Sequence, residues 1–215
     1  MDAAVFAASW ARAWRGLSAH SDGVALRDTL LARYAEPHRH YHTTQHLAEC
    51  LAHFETLRDA PDHAAAVEMA LWFHDAVYDL GAADNESRSA TWAREALGKA
   101  GVAAGAAARV EALVLATKHA APPVTRDEQV LIDIDLAILG AEPARFAEYE
   151  GQVRAEYAHV PAVLYAPRRC ALLQGFLDRD AIYHTPAMHR RLEARARENL
   201  ARSVAALSAM PGGAG

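Results

Sequence analysis

Ala64-Ala65-Ala66-Val67-Glu68-Met69-Ala70-Leu71-Trp72-Phe73-His74-Asp75-Ala76-Val77-Tyr78-Asp79 joins an apolar run to a His-Asp pair. The run reads as a helix over Asp62–Phe73. An imidazole beside a carboxylate at the end of such a run needs compensation, because a buried charge costs several kcal/mol unless it is paired or bound to a metal. Neighbouring helical residues point about 100° apart and do not share a face. Both can still reach one ion if it accepts ligands roughly 90° apart, as an octahedral ion does. His74 and Asp75 therefore suggest a metal and a geometry together.

Working outward, apolar residues recur at helical rather than alternating spacing, and no Val/Ile/Thr-rich run of period two is bounded by hairpin turns. The expected fold is all-α, a single bundle of about ten helices. The periodicity predicts helices over Ala3–Ser18, Gly23–Ala35, Thr44–Leu57, Asp62–Phe73 and Asn85–Gly98. It continues with Ala103–Lys118, Asp127–Leu139, Pro143–Tyr157, Pro161–Arg179 and Pro186–Leu207. Pro37 and Pro61 sit near breaks, Pro122-Pro123 end one helix, and Gly140 is placed as a C-cap. Thr43 or Thr44 is the expected N-cap of the helix carrying His46. Residues 1–209 form one expected domain, with a core over about 34–140, a helical extension over 143–209 and a flexible tail over 210–215.

The bulk numbers fit a globular protein: 215 residues, 52% hydrophobic and 23% charged. No uninterrupted apolar stretch approaches the roughly 20 residues that span a bilayer. The start, Met1 to Trp10, lacks the basic and apolar regions of a signal peptide, so a cytoplasmic location is expected. A net charge of -5 without a Lys/Arg stripe gives no footprint for duplex nucleic acid and leaves a small anionic substrate open. The two cysteines, Cys50 and Cys170, lie far apart and indicate neither a disulfide framework nor a thiolate zinc site. Twelve histidines are many for this length, and four crowd into His38-Arg39-His40-Tyr41-His42-Thr43-Thr44-Gln45-His46.

His42 and His46 are four apart and project to roughly the same side if a helix begins by Thr43. Downstream, Leu131-Ile132-Asp133-Ile134-Asp135-Leu136-Ala137-Ile138-Leu139 sets two carboxylates in an apolar helix. Asp is rarely buried unpaired, so at least one of these reads as a metal ligand. The alternative is a helix-start acid bonded to backbone amides or exposed lysines.

These residues resemble the HD superfamily of metal-dependent phosphohydrolases, whose signature is a His, a later His-Asp doublet and a distal Asp on separate helices. The resemblance assigns the metal to His46, His74, Asp75 and Asp135, and its register prefers Asp135 to Asp133. Tyr41-His42-Thr43-Thr44-Gln45-His46 is similar to the YHNxxH element of cyclic-nucleotide phosphodiesterases, which would make His42 a proton donor. His74 to Asp79 is similar to the HDxxED element of alarmone hydrolases, with Asp79 matching the acidic end and Tyr78 standing in place of the glutamate. Over residues 34–140 the chain is similar to small predicted HD phosphohydrolases, including the segment Asp84-Asn85-Glu86-Ser87-Arg88-Ser89-Ala90. Glu86 would orient a water or a ligand histidine, or else complement a helix dipole. His119, after Lys118, would add a second metal or touch phosphate, or simply favour a helix C-terminus; Lys118 is a further phosphate candidate.

The implied cofactor is a divalent metal, Mn, Fe, Ni, Co or Zn, with Mg also compatible. The implied function is hydrolysis of a nucleotide or other small phosphate ester through a metal-activated water, by a protein that sits on no membrane and is compatible with a homo-oligomer. Arg168 and Arg169 are expected either to bind the phosphate or to belong to a solvated helix face. Two alternatives stand beside this: an HD-fold di-iron oxygenase using His119, Asp79 and Glu86, and a non-catalytic metal-binding helical protein.

Overall fold

Helical spacing becomes helix throughout the described residues, 3–209 of the computed structural model. The tail over 210–215 lies outside them. In chain order the α-helices are α1 (Ala3–Gly16), α2 (Val24–Tyr34), α3 (Thr44–Leu57), α4 (Ala64–Phe73) and α5 (Asn85–Lys99). They continue as α6 (Ala104–Ala116), α7 (Arg126–Asp135), α8 (Pro143–Glu156), α9 (Ala162–Leu177) and α10 (Pro186–Ser208). No strand forms among the described residues, so the all-α expectation holds. None of their helices is long and apolar enough to cross a membrane.

The chain divides into two compact units, one ending at Asp135 and the other beginning at Leu136. In the first, α4 is the central helix and packs against α1, α3, α5, α6 and α7. Its residues from Ala66 to Phe73 are all buried, which explains why the quoted run lacks a polar face. Trp72 stands edge-on to Trp10, with ring centroids 5.1 Å apart, and is fully buried. An aromatic ring of this kind buries about 150–250 Å², a gross gain of about 4–6 kcal/mol before entropy. The one acid of the run, Glu68, is buried against the Ser9 hydroxyl at 2.6 Å and the Arg12 guanidinium. Burial raises its carboxyl pKa despite these two partners.

The predicted helix over Asp127–Leu139 differs in its second half. The α-helix stops at Asp135 and tightens into a 3₁₀ turn over Leu136–Gly140. Carbonyls there are met by side chains of the second unit: Leu136 O by Tyr183 Oη at 2.9 Å, Leu139 O by Asn199 Nδ2 at 2.9 Å, and Gly140 O by Arg195 Nε at 2.6 Å. Those donors satisfy oxygens that a helix end leaves over, so the chain can change direction without orphaning them. Gly140 serves close approach: a Cβ there would lie 2.6 Å from Leu192 Cβ and 2.9 Å from Leu192 O.

In the second unit α10 packs on α9 and on the 3₁₀ turn, which α8 also covers. Ile182, Tyr183, Met188, Leu192, Ala196 and Leu200 are buried there.

Candidate metal centre

His46 and the His74-Asp75 doublet reach one place because of where helices begin and end. Thr43 caps α3, its hydroxyl accepting the Gln45 amide at 3.2 Å, and this starts the helix early enough to turn His46 inward. His74 and Asp75 lie just beyond α4, and Asp135 is the last residue of α7. Four side chains from three helices of the first unit thus converge.

His46 Nε2 lies 3.0 Å from His74 Nε2, 3.5 Å from Asp75 Oδ2 and 3.4 Å from Asp135 Oδ1. His74 Nε2 lies 3.1 Å from Asp75 Oδ2 and 3.5 Å from Asp135 Oδ1. A metal about 2.1 Å from each donor would separate neighbouring donors by about 3.0 Å at right angles and about 3.4 Å at the tetrahedral angle. The observed separations fall on that scale, so the residues fit a divalent ion.

The Leu71 carbonyl accepts from His74 Nδ1 at 2.8 Å, which leaves Nε2 aimed into the cluster. Both imidazoles are buried, while the side chains of Asp75 and Asp135 keep 18% and 14% of their surface exposed. Burial opposes charge on His74, Asp75 and Asp135, yet the pairing prevails: Asp75 and Asp135 hold His74 well above the usual imidazole value. The carboxyls of Asp75 and Asp135 are in turn held well below theirs, against burial, by His74 and its neighbours. A metal on His74 Nε2 would replace a proton there, so binding would release it.

Cys50, one turn along α3, adds a sulfur 3.7 Å from both ring nitrogens of His46. One ligand atom each from the buried His46, Cys50 and His74 lies within 4.8 Å of the others, a group that could hold a metal ion. Burial, then Asp135 and Asp75, push the thiol pKa well above its ordinary value. A neutral thiol is a poor ligand, so the negative charge of the centre comes from the two carboxylates.

The chain matches no family model, no curated protein and no solved structure among known proteins. Its chemistry is read from its own residues.

Other residues expected from the sequence fall into groups. His42 stands beside the centre, its ring centroid 6.1 Å from that of His46, stacked on Tyr78 at 4.1 Å. His119 Nε2 is 3.1 Å from Asp135 Oδ2, the oxygen of that carboxylate not engaged with His46 and His74. Asp79 is exposed and paired with Arg88 at 2.5 Å, which lowers its carboxyl pKa. Glu86 lies in the first turn of α5, as the dipole reading requires. Lys118 Nζ donates to Ser87 Oγ at 2.7 Å. In the second unit Arg169 is buried and bonded to Tyr149 Oη at 2.7 Å and Glu150 Oε1 at 2.6 Å, whereas Arg168 is exposed. Asp133 is fully buried on α7, and the carboxylate that joins the cluster is that of Asp135.

Sequence reasoning missed Arg39, Tyr34, Tyr78 and the proximity of Cys50. Arg39 sits within the histidine-rich stretch His38 to His46, and nothing in the residue pattern there singles it out. Tyr34 Oη accepts the Asp75 amide and donates to the Trp72 carbonyl, each at 3.3 Å, so it braces the doublet from beneath.

Proposed function

We propose that this chain is a metal-dependent phosphohydrolase acting on a nucleotide or another small phosphate ester. The observation that carries the reading is the convergence of two imidazoles and two carboxylates at 3.0–3.5 Å with a further imidazole, His42, alongside. His46, His74, Asp75 and Asp135 would hold the ion. Once bound, a divalent metal polarises a phosphoryl oxygen and makes water a nucleophile at neutral pH.

The remaining steps belong to the protein. His42 donates a proton to the departing ester oxygen, which otherwise leaves as a costly alkoxide. Its stacking on Tyr78 holds the imidazole plane within 27° of the phenol ring and limits the directions in which that proton can be delivered. His119 fixes the Asp135 carboxylate from its outer oxygen, and the Leu71 carbonyl fixes the His74 tautomer. Lys118 provides a positive charge next to His119 for a substrate phosphate.

The test is metal analysis of protein purified without chelator, followed by a phosphatase screen of wild type and Asp75→Ala with manganese or cobalt. Release of phosphate or pyrophosphate by the wild type and its loss in Asp75→Ala are expected. Equal release by both would remove the centre from the reaction, and no release by fully metallated wild type would overturn the hydrolase reading.

The contact of His119 with the outer oxygen of Asp135 also favours a second reading, in which His119 and Asp135 would help hold a second iron and the protein would be an oxygenase. An iron content near two per chain with oxygen consumption would select it over hydrolysis.

A further inference from the structure

His42 lies on the irregular segment between α2 and α3, and Asp75 lies past the last turn of α4. Neither position is held by its own helix. A proton donor on a loop and a ligand on a helix end can keep a constant separation only if something fastens the two backbones together. The side chain between them is Arg39, whose guanidinium is fully buried.

Arg39 Nη1 donates to the Asp75 carbonyl at 2.6 Å and to the His42 carbonyl at 3.2 Å. Nη2 donates to the Ala76 carbonyl at 3.3 Å, and Nε to Glu36 Oε2 at 3.1 Å. The guanidinium carbon lies 5.4 Å from the ring centres of both Tyr34 and Tyr78. Tyr34 carries the Asp75 amide on its hydroxyl, and Tyr78 carries the His42 ring on its face. Each of the two functional residues is thus reached by Arg39 twice, once through its own carbonyl and once through a tyrosine. The carbonyls of Asp75 and Ala76 lie past the end of α4 and outside its hydrogen-bond ladder, so a cap of some sort is expected there. A cap alone does not require the same nitrogen to take the His42 carbonyl.

We infer that Arg39 is a positioning residue, which ties the His42 loop to the His74-Asp75 doublet and so sets the distance between the proton donor and the metal centre. This rests on the proposed reading of His42 and of the four ligands. Lysine cannot reproduce the clamp, because its single ammonium lacks the planar fork that reaches the three carbonyls and Glu36 at once.

The experiment uses the full chain loaded with Co²⁺, as wild type, Arg39→Lys, Arg39→Met, Glu36→Gln and His42→Ala, with Arg39→Lys also placed in the His42→Ala background. Three quantities are read: the cobalt absorption spectrum, the hyperfine-shifted ¹H signals of the His42 ring, assigned by their loss in His42→Ala, and the kinetics of phosphate release. The cobalt spectrum is expected to stay as in wild type while the His42 signals move or broaden in Arg39→Lys. The kcat should fall about a hundredfold with KM changed less than about twofold, as for a group displaced by roughly 1 Å. In the His42→Ala background the same substitution should cost less than about threefold, since the residue through which it acts is gone. Unchanged His42 signals in Arg39→Lys would overturn the inference, and so would a full hundredfold loss in the His42→Ala background. If Arg39→Met fails to fold, Arg39→Lys carries the test beside Glu36→Gln, which neutralises the acid that anchors Nε and pairs with Arg33. If the wild type releases no phosphate, the hydrolase reading falls, and the hyperfine signals still decide the clamp.

Discussion

His119 combines a backbone that most residues avoid with a contact to the metal centre, and the two can be separated by substitution. Its φ is 52°, in the left-handed region, where an ordinary side chain costs about 1–2 kcal/mol and glycine pays almost nothing. Its Nε2 holds Asp135 Oδ2 at 3.1 Å. His119→Ala loses the contact and keeps the backbone cost, whereas His119→Gly loses both. The metal-free glycine variant should therefore be more stable than the alanine variant by about 1 kcal/mol, the contact cancelling in the comparison. Urea unfolding of the two chelated proteins measures this. Both should bind Co²⁺ about 10- to 100-fold more weakly than wild type, which is the usual loss when a group orienting a ligand is removed. That corresponds to about 1.4–2.8 kcal/mol, read by competition with a chromophoric chelator. Equal stability of the two variants would refute the strain, and wild-type affinity in both would refute the role of His119 in holding Asp135.

Three further outcomes follow from the same geometry. Asp75 and Asp135 have carboxyl pKa values held below the ordinary 3.8, and His74 is held above 6.5, so their contribution to metal-free stability is full between those values. It is lost as pH falls through the depressed carboxyl values or rises through the elevated imidazole value; Asp135→Asn should thus differ most from wild type between about pH 4 and 6, in unfolding curves taken across pH with chelator. Gly140→Ala should destabilise by about 1–3 kcal/mol, since the added methyl meets a backbone oxygen and a Cβ of α10. Gly175→Ala, whose Cβ would meet nothing within 4 Å on α9, should stabilise by about 0.5–1 kcal/mol, and the same sign for both in a thermal melt would contradict the packing.

The helices were legible because their apolar residues recur at a period that only a helix satisfies. The tightening after Asp135 was not, because Leu131 to Leu139 is apolar almost without interruption and a 3₁₀ turn leaves no different pattern in such a run. Polar groups in an apolar setting pointed to His74, Asp75 and one of Asp133 and Asp135, whereas the full set of His46, His74, Asp75 and Asp135 came from the resemblance to the HD superfamily. Arg39 could not be anticipated, since it acts on backbone carbonyls and these carry no residue identity. Tyr78, where the HDxxED pattern has glutamate, marks a departure in sequence; only the fold puts its ring on His42. Cys50 was set aside for lacking a second nearby cysteine, whereas its neighbour in space is a histidine one turn away.

Asp135 ends the first compact unit as well as contributing to the cluster. The seam of the chain therefore passes through the peptide bond that follows a site residue. In modular terms, the first unit could not be exchanged or fused at that seam without rewriting the chain directly beside a carboxylate whose position decides the site. A fusion point chosen by compactness alone would fall on the bond that directly follows Asp135.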